Sequence, residues 1–140
     1  MKLFIDASTH PNTHESGVGL VVYQNKKSTC FSIPLLCHYN NHEAEFIALI
    51  IAFNYLKENN VTESISIYSD SQTVVQAMNE HKLKDSALKE LHYIASQRQQ
   101  SLPQLFIEWI PEKRNKKADE LARLARQAKE RQHFLNIDHF

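Results

Sequence analysis

At 140 residues, with 42% hydrophobic and 23% charged side chains, the chain has the make-up of one ordinary globular unit able to bury a single core. Its 16 basic and 16 acidic side chains balance, which excludes the bulk positive charge of a strongly basic nucleic-acid binder. No stretch approaches the roughly 20 apolar residues that span a bilayer. The two cysteines match no metal-site spacing and make a poor disulfide scaffold, so a cytoplasmic protein with one domain over residues 1–140 is expected.

In chain order, residues 2–8 (KLFIDAS) and 17–24 (GVGLVVYQ) are rich in β-branched and aromatic side chains and predict strands. The polar cluster STHPNTHES separates them. A third strand over 28–36 follows the polar Asn25-Lys26-Lys27 turn, so the first three strands form an antiparallel meander. The period then changes. In NHEAEFIALIIAFNYLKENN, Phe46, Leu49, Ile50 and Phe53 recur at helical spacing, with Asn40 or Asn41 as N-cap. A strand over 64–69, helices over 71–79 and 85–98, and a strand over 105–110 come next. Asn115 is expected to cap a last helix whose Ala118, Leu121, Ala122 and Ala125 share one face. The tail over 131–140 has no clear assignment. The order β-β-β-α-β-α-α-β-α predicts an α/β fold, a mixed five-stranded sheet of three antiparallel then two parallel strands with helices on both faces.

Four acids stand where acids are costly. Asp6 lies within an apolar strand and shares the face of Phe4; Asp70 ends another strand; Glu45 sits on the helix line of Leu49, Ala52 and Leu56; Asp119 falls in the first turn of the last helix. Taken singly, Asp70 also suits a helix N-cap and Asp119 a response to the helix dipole. Taken together, neighbouring first and fourth strands would bring Asp6 and Asp70 within about 5 Å. Carboxylates so crowded call for a cation, and all-oxygen ligands select Mg²⁺ or Mn²⁺. Two such ions about 4 Å apart can clamp the attacking and leaving oxygens of a phosphodiester.

These residues carry a resemblance to the type 1 ribonuclease H family over nearly the whole chain. FIDAS resembles its first-strand D-G-S or D-A-S motif, and Gly17-Val18-Gly19 its entry into strand two. NNHEAEFIAL is similar to T-N-N-x-A-E-x-x-A-L, IYSDSQTVV to Y-S-D-S-x-x-V-V, and WIPEKRNKKADELARLA to the W-V-P … N-x-x-A-D-x-L-A ending. The resemblance implies a ribonuclease H-like fold and metal-dependent endonucleolytic hydrolysis of the RNA strand of RNA–DNA hybrids, leaving 5′-phosphates. Asp6, Glu45, Asp70 and Asp119 would be the catalytic and metal-binding residues for two Mg²⁺ or Mn²⁺ ions. Asn12, Asn41 and Ser71 would touch the hybrid, and the basic run of Lys113, Arg114, Lys116 and Lys117 would steer a phosphate. Another metal-dependent nuclease of this fold, or a silent nucleic-acid-binding module, stays open as an alternative.

The sequence also departs from the family pattern. No His lies between Trp109 and Asp119, where many members carry one, leaving Glu112, Arg114 or His133 as substitutes. His42 stands where the motif has its second Asn, and a separate basic protrusion is lacking. Trp109 is expected in the core and Cys30 buried in strand three. The pairs His10/His14 and His38/His42 offer too few ligands for zinc.

Overall fold

The computed structural model describes residues 1–128; His133 and the tail over 131–140 lie outside them. Five strands form one sheet: β1 (Lys2–Thr9), β2 (Ser16–Gln24), β3 (Lys27–Pro34), β4 (Ile65–Ser69) and β5 (Leu105–Trp109), in the order β3-β2-β1-β4-β5. The first three pair antiparallel, whereas β4 joins β1, and β5 joins β4, in parallel. The β2–β3 hairpin turns on Asn25 and Lys26, both at positive φ (53° and 65°), as a two-residue turn matched to strand twist requires.

The crossover from β3 to β4 runs through α1 (Asn41–Glu58). Its N-terminus is tied by a capping box, in which the Asn40 side chain accepts from the Glu43 N–H and Glu43 accepts from the Asn40 N–H. This helix is buried well beyond a single stripe, with Ile47, Ala48 and Ile51 as enclosed as Phe46 and Phe53. The reason is its place in the layer: α1 packs on β1 and β2 on one side and on α3 (Lys89–Gln100) on another. The expected helix over 85–98 begins instead as a short 3₁₀ turn, Ser86–Leu88, that the Asp85 side chain caps through the Ala87 N–H. Between β4 and that turn lies α2 (Gln72–Glu80), which packs against β5.

The opposite face of the sheet is covered by α4 (Lys116–Arg126), lying on β1, β2 and β3. It can settle there because the chain's two glycines, Gly17 and Gly19, line its track. A Cβ on Gly19 would fall 2.0 Å from the carbonyl oxygen of Ala118 and 2.9 Å from the nitrogen of Ala122. The Ser32 hydroxyl donates to the Leu121 carbonyl at 2.6 Å and pins the same helix to β3. No helix among the described residues is long and apolar enough to cross a membrane.

Two side chains depart from expectation. Cys30 is exposed rather than buried: it lies on the edge strand β3, opposite Val21, in a stretch that is exposed from Lys27 onward. Trp109 is 45% exposed rather than part of the core; it closes the edge strand β5, and its indole N–H donates to the Asp70 carbonyl at 3.1 Å.

The close approach of α4 makes a specific prediction. Gly19→Ala must push the helix backbone away, costing about 1–3 kcal/mol as overpacking does. Urea unfolding of the two chains measures this, and a variant as stable as the parent would refute the account.

Candidate active site

The parallel pairing of β1 with β4 sets Ile5 opposite Ser69, so the following residues, Asp6 and Asp70, emerge side by side at the ends of adjacent strands. Glu45 reaches the same place from the first turns of α1, and Asp119 from the first turn of α4. Asp6, Asn41, Glu45, Asp70, Glu112 and Asp119 line one cleft of about 270 Å³. Clefts at the carboxyl ends of parallel strands, where the chain's direction of progress across the sheet reverses, are where such sheets bind ligands.

Each acid is held by its own donor. Asp6 is 8% exposed and accepts from the Ala7 N–H at 2.9 Å. Glu45 accepts from the Ser71 hydroxyl at 2.7 Å and from the Asn41 amide at 3.1 Å, with the His42 ring 3.6 Å away. Asp70 accepts from the Asn115 amide at 3.4 Å, and the same nitrogen donates to the Ile5 carbonyl at 2.8 Å. Asp119 pairs with Arg123 at 3.2 Å, one helical turn on. As they stand, no three acidic, His or Cys side chains among the described residues are close enough together to hold a metal ion.

The electrostatic strain shows in the acidities. Burial, and then the charge of Asp70, push the Asp6 carboxyl up to about 8. Burial also raises Glu45, against the lowering effect of its Ser71 hydrogen bond. Asp70 is raised by burial, with Asn115 opposing and the charge of Glu112 adding to the rise.

The remaining residues singled out in the sequence divide. Asn41 and Ser71 hold Glu45, and Ser71 is also the N-cap of α2, accepting from the Val74 N–H. Asp70 is thereby free of capping duty. Asn12 is exposed, outside the cleft lining, with its N–H donating to the His10 ring. Lys113 and Arg114 fall on different sides of the 3₁₀ turn Glu112–Arg114: Lys113 lines a groove with Lys116, Asp119 and Arg123, whereas Arg114 lines a pocket with Phe4 and Tyr23. Of the substitutes for the loop His, Glu112 lines the acidic cleft and Arg114 does not.

Two site residues were not legible in their roles. Asn115 stands at the N-cap of α4 but makes no capping bond; it is a buried strut between β1 and Asp70. Arg123 could have been suspected from its spacing of four after Asp119, a pairing signal too common to be specific.

A mixed sheet in this order, with acids at the ends of its first and fourth strands, defines a ribonuclease H-like protein. The sequence profile of the reverse transcriptase-like family matches residues 4–125, and the chain belongs to that family. It is 35% identical over 128 residues to the "Putative hydrolase EbsB" of Enterococcus faecalis, covering 91% of this chain and 94% of that one. Among solved structures it is similar to the N-terminal RNase H domain of Rv2228c from Mycobacterium tuberculosis, with 26% identity and a TM-score of 0.78 over 91% of this chain and 100% of that one. LC11-RNase H1, isolated from compost by a metagenomic approach and solved in complex with an RNA/DNA hybrid, is 26% identical with a TM-score of 0.75, over 89% of this chain and 94% of that one.

The raised acidity of Asp6 sets the sign of a pH effect. An unperturbed Asp titrates near 3.8, whereas in the fold Asp6 keeps its proton up to about 8. The fold therefore favours the protonated acid; that stability is complete below about 3.8 and is lost as pH rises through about 8. In EDTA, the melting temperature should fall between about pH 4 and about pH 8 and level off above, and Asp6→Asn should remove most of that slope. A parent chain with a flat or rising melting temperature over this range would contradict the assignment.

Proposed function

We propose that this protein hydrolyses the RNA strand of RNA–DNA hybrids as an endonuclease, with Asp6, Glu45, Asp70 and Asp119 as its catalytic, metal-holding residues. The observation that carries this reading is the convergence of four acids from four separate elements on one cleft, together with the resemblance of each to its family motif. The similarity to LC11-RNase H1, whose structure holds an RNA/DNA hybrid, supports the choice of substrate.

The donor set fits hard divalent cations. Among the described residues the cleft lining contains carboxylates and an amide but no sulfur and no imidazole, which suits Mg²⁺ or Mn²⁺ and disfavours zinc. Two such ions would supply Lewis-acid stabilisation of the phosphodiester oxygens and a nucleophilic water at neutral pH. The same charge would neutralise acids that otherwise face a polyanionic strand.

The protein's own groups then have distinct tasks. Asp6 and Asp70, fixed by the strand register, form the rigid side of the site; Asn115 holds Asp70 against β1 and limits its rotation. Glu45 is steadied at the cleft by Ser71 and Asn41, and Asn41 can also read the ribose 2′-hydroxyl that distinguishes RNA from DNA. Asp119 is the adjustable acid, partnered by a half-exposed Arg123 that water can replace. Glu112, at the lip of the cleft, takes the position from which a proton could be relayed in a chain without the loop His. Lys113 and Lys116 flank Asp119 in the adjoining groove and would receive the phosphate next to the scissile one.

Cleavage of an internally labelled RNA–DNA hybrid in Mg²⁺ and in Mn²⁺ tests this. The parent chain should release internal fragments with 5′-phosphates, and Asp70→Asn should lose roughly 100-fold or more of the rate. Folded parent protein that binds the hybrid yet leaves it intact in both metals would instead identify a silent binding module. Release of single nucleotides from an end would identify an exonuclease.

A further inference from the structure

A second pocket lies on the α4 side of the sheet, apart from the acidic cleft. It measures about 150 Å³ and is lined by Phe4, Val21, Tyr23, Arg114, Asn115 and Lys117. Its floor is aromatic. Phe4 meets the Tyr23 ring edge-on, with centroids 5.6 Å apart, and stacks on Tyr68 at 4.9 Å. The first turn of α4, which begins at Lys116, forms one wall of the pocket through Lys117 and Ala118, and Tyr23 beyond it is 46% exposed.

The charges at this pocket all have one sign. Arg114 forms no ion pair among the described residues, and Lys117 meets only Glu120, at 3.8 Å and with both side chains more than half exposed, a pairing that water weakens. No acid among the described residues lines the pocket. Asn115 adds a separate observation. It is 2% exposed, its amide nitrogen is committed to Ile5 and Asp70, and its buried Oδ1 has no hydrogen-bond partner among the described residues. A buried acceptor left unpaired is costly and is met by few residues in a native protein.

We propose that this pocket is a nucleotide subsite: one pyrimidine ring lies against Phe4 and Tyr23, its N–H donates to Asn115 Oδ1, and its phosphate meets Arg114 and Lys117. The volume admits a single ring more readily than a fused purine. Aromatic side chains bind bases through stacking, and flanking cations hold the phosphate. The nucleotide can come from either of two sources, a free mononucleotide or one unit of a single strand. Asn115 spans both places, so occupation of the pocket is felt at the amide that holds Asp70.

The test is nuclear magnetic resonance on the ¹⁵N-labelled full chain, titrated separately with CMP, UMP, AMP, inorganic phosphate and a short single-stranded pyrimidine oligonucleotide. CMP or UMP should saturably shift the Asn115 side-chain amide and the Val21 backbone amide, and AMP should bind more weakly. Tyr23→Ala should weaken binding roughly tenfold, as loss of a stacking partner does. Lys117→Ala should weaken CMP but not the uncharged nucleoside cytidine. Saturation by mononucleotides assigns the free ligand, and saturation by the oligonucleotide alone assigns a strand; either supports the subsite. Shifts from phosphate equal to those from CMP would reduce the site to an anion contact and overturn the proposal. So would the absence of any shift, or a nuclear Overhauser contact placing residues 129–140 of the chain itself on Tyr23. The titration uses neither divalent ion nor cleavage, so its failure and that of the hydrolase reading are told apart.

Discussion

Parallel pairing of β1 with β4 puts two aspartates next to each other, one residue beyond Ile5 and Ser69, and much of the surrounding structure answers the cost of that placement. Burial disfavours a charged carboxylate, and a second carboxylate beside it disfavours the charge further. The consequence is visible in the acidity of Asp6, raised to about 8, and in the donors gathered around the others. Asn115 is spent on Asp70 rather than on capping α4, and Ser71 serves Glu45 while capping α2. A fold assembled for stability alone would place apolar side chains at these positions. Retaining four acids there is understandable if their charge is needed for a cation and, through it, for a phosphodiester.

The second constraint is steric. Asp119 reaches the cleft only if the start of α4 lies close on the sheet, which depends on Gly19 having no side chain, as Gly17 allows the close approach of the helix's other end. The capping hydroxyl of Ser71, the box of Asn40 with Glu43 and the bond from Ser32 to Leu121 fix the other helices and strands that bear on the site. The rigid pair on the strands and the more adjustable acids on the helices thus differ in kind. Asp6 and Asp70 inherit their geometry from backbone hydrogen bonding. Glu45 and Asp119 depend on rotamers held by side-chain donors, Ser71 and Asn41 for the one and Arg123 for the other.

The side chains whose placement differs from expectation lie where local pattern and tertiary position disagree. Trp109 ends an apolar string, LFIEW, which taken alone suggests burial. Trp109 shares the face of the buried Leu105 and Ile107, but it is the last residue of the edge strand β5, and there its indole uses its N–H on the Asp70 carbonyl. Cys30 likewise sits near the end of a strand at the other edge, where β3 is exposed from Lys27 through Cys30. In both cases the composition of the strand was read correctly, but its position in the sheet was not contained in it.

Residues close in sequence supplied most of what could be known beforehand: strand and helix periods, the turn at Asn25 and Lys26, the cap at Asn40, and four acids in motif order. These depend on interactions within a few residues, so they are legible one segment at a time. The roles of Asn115, Arg123 and Glu112, and the separation of Lys113 from Arg114 into different pockets, were decided by tertiary structure. Asn115 reaches Ile5, 110 positions away in sequence, and no local pattern encodes which backbone carbonyl an amide will meet across a sheet. The element order and motif order could suggest that the first and fourth strands are neighbours. Only the packed chain shows what each acid holds on to once they are.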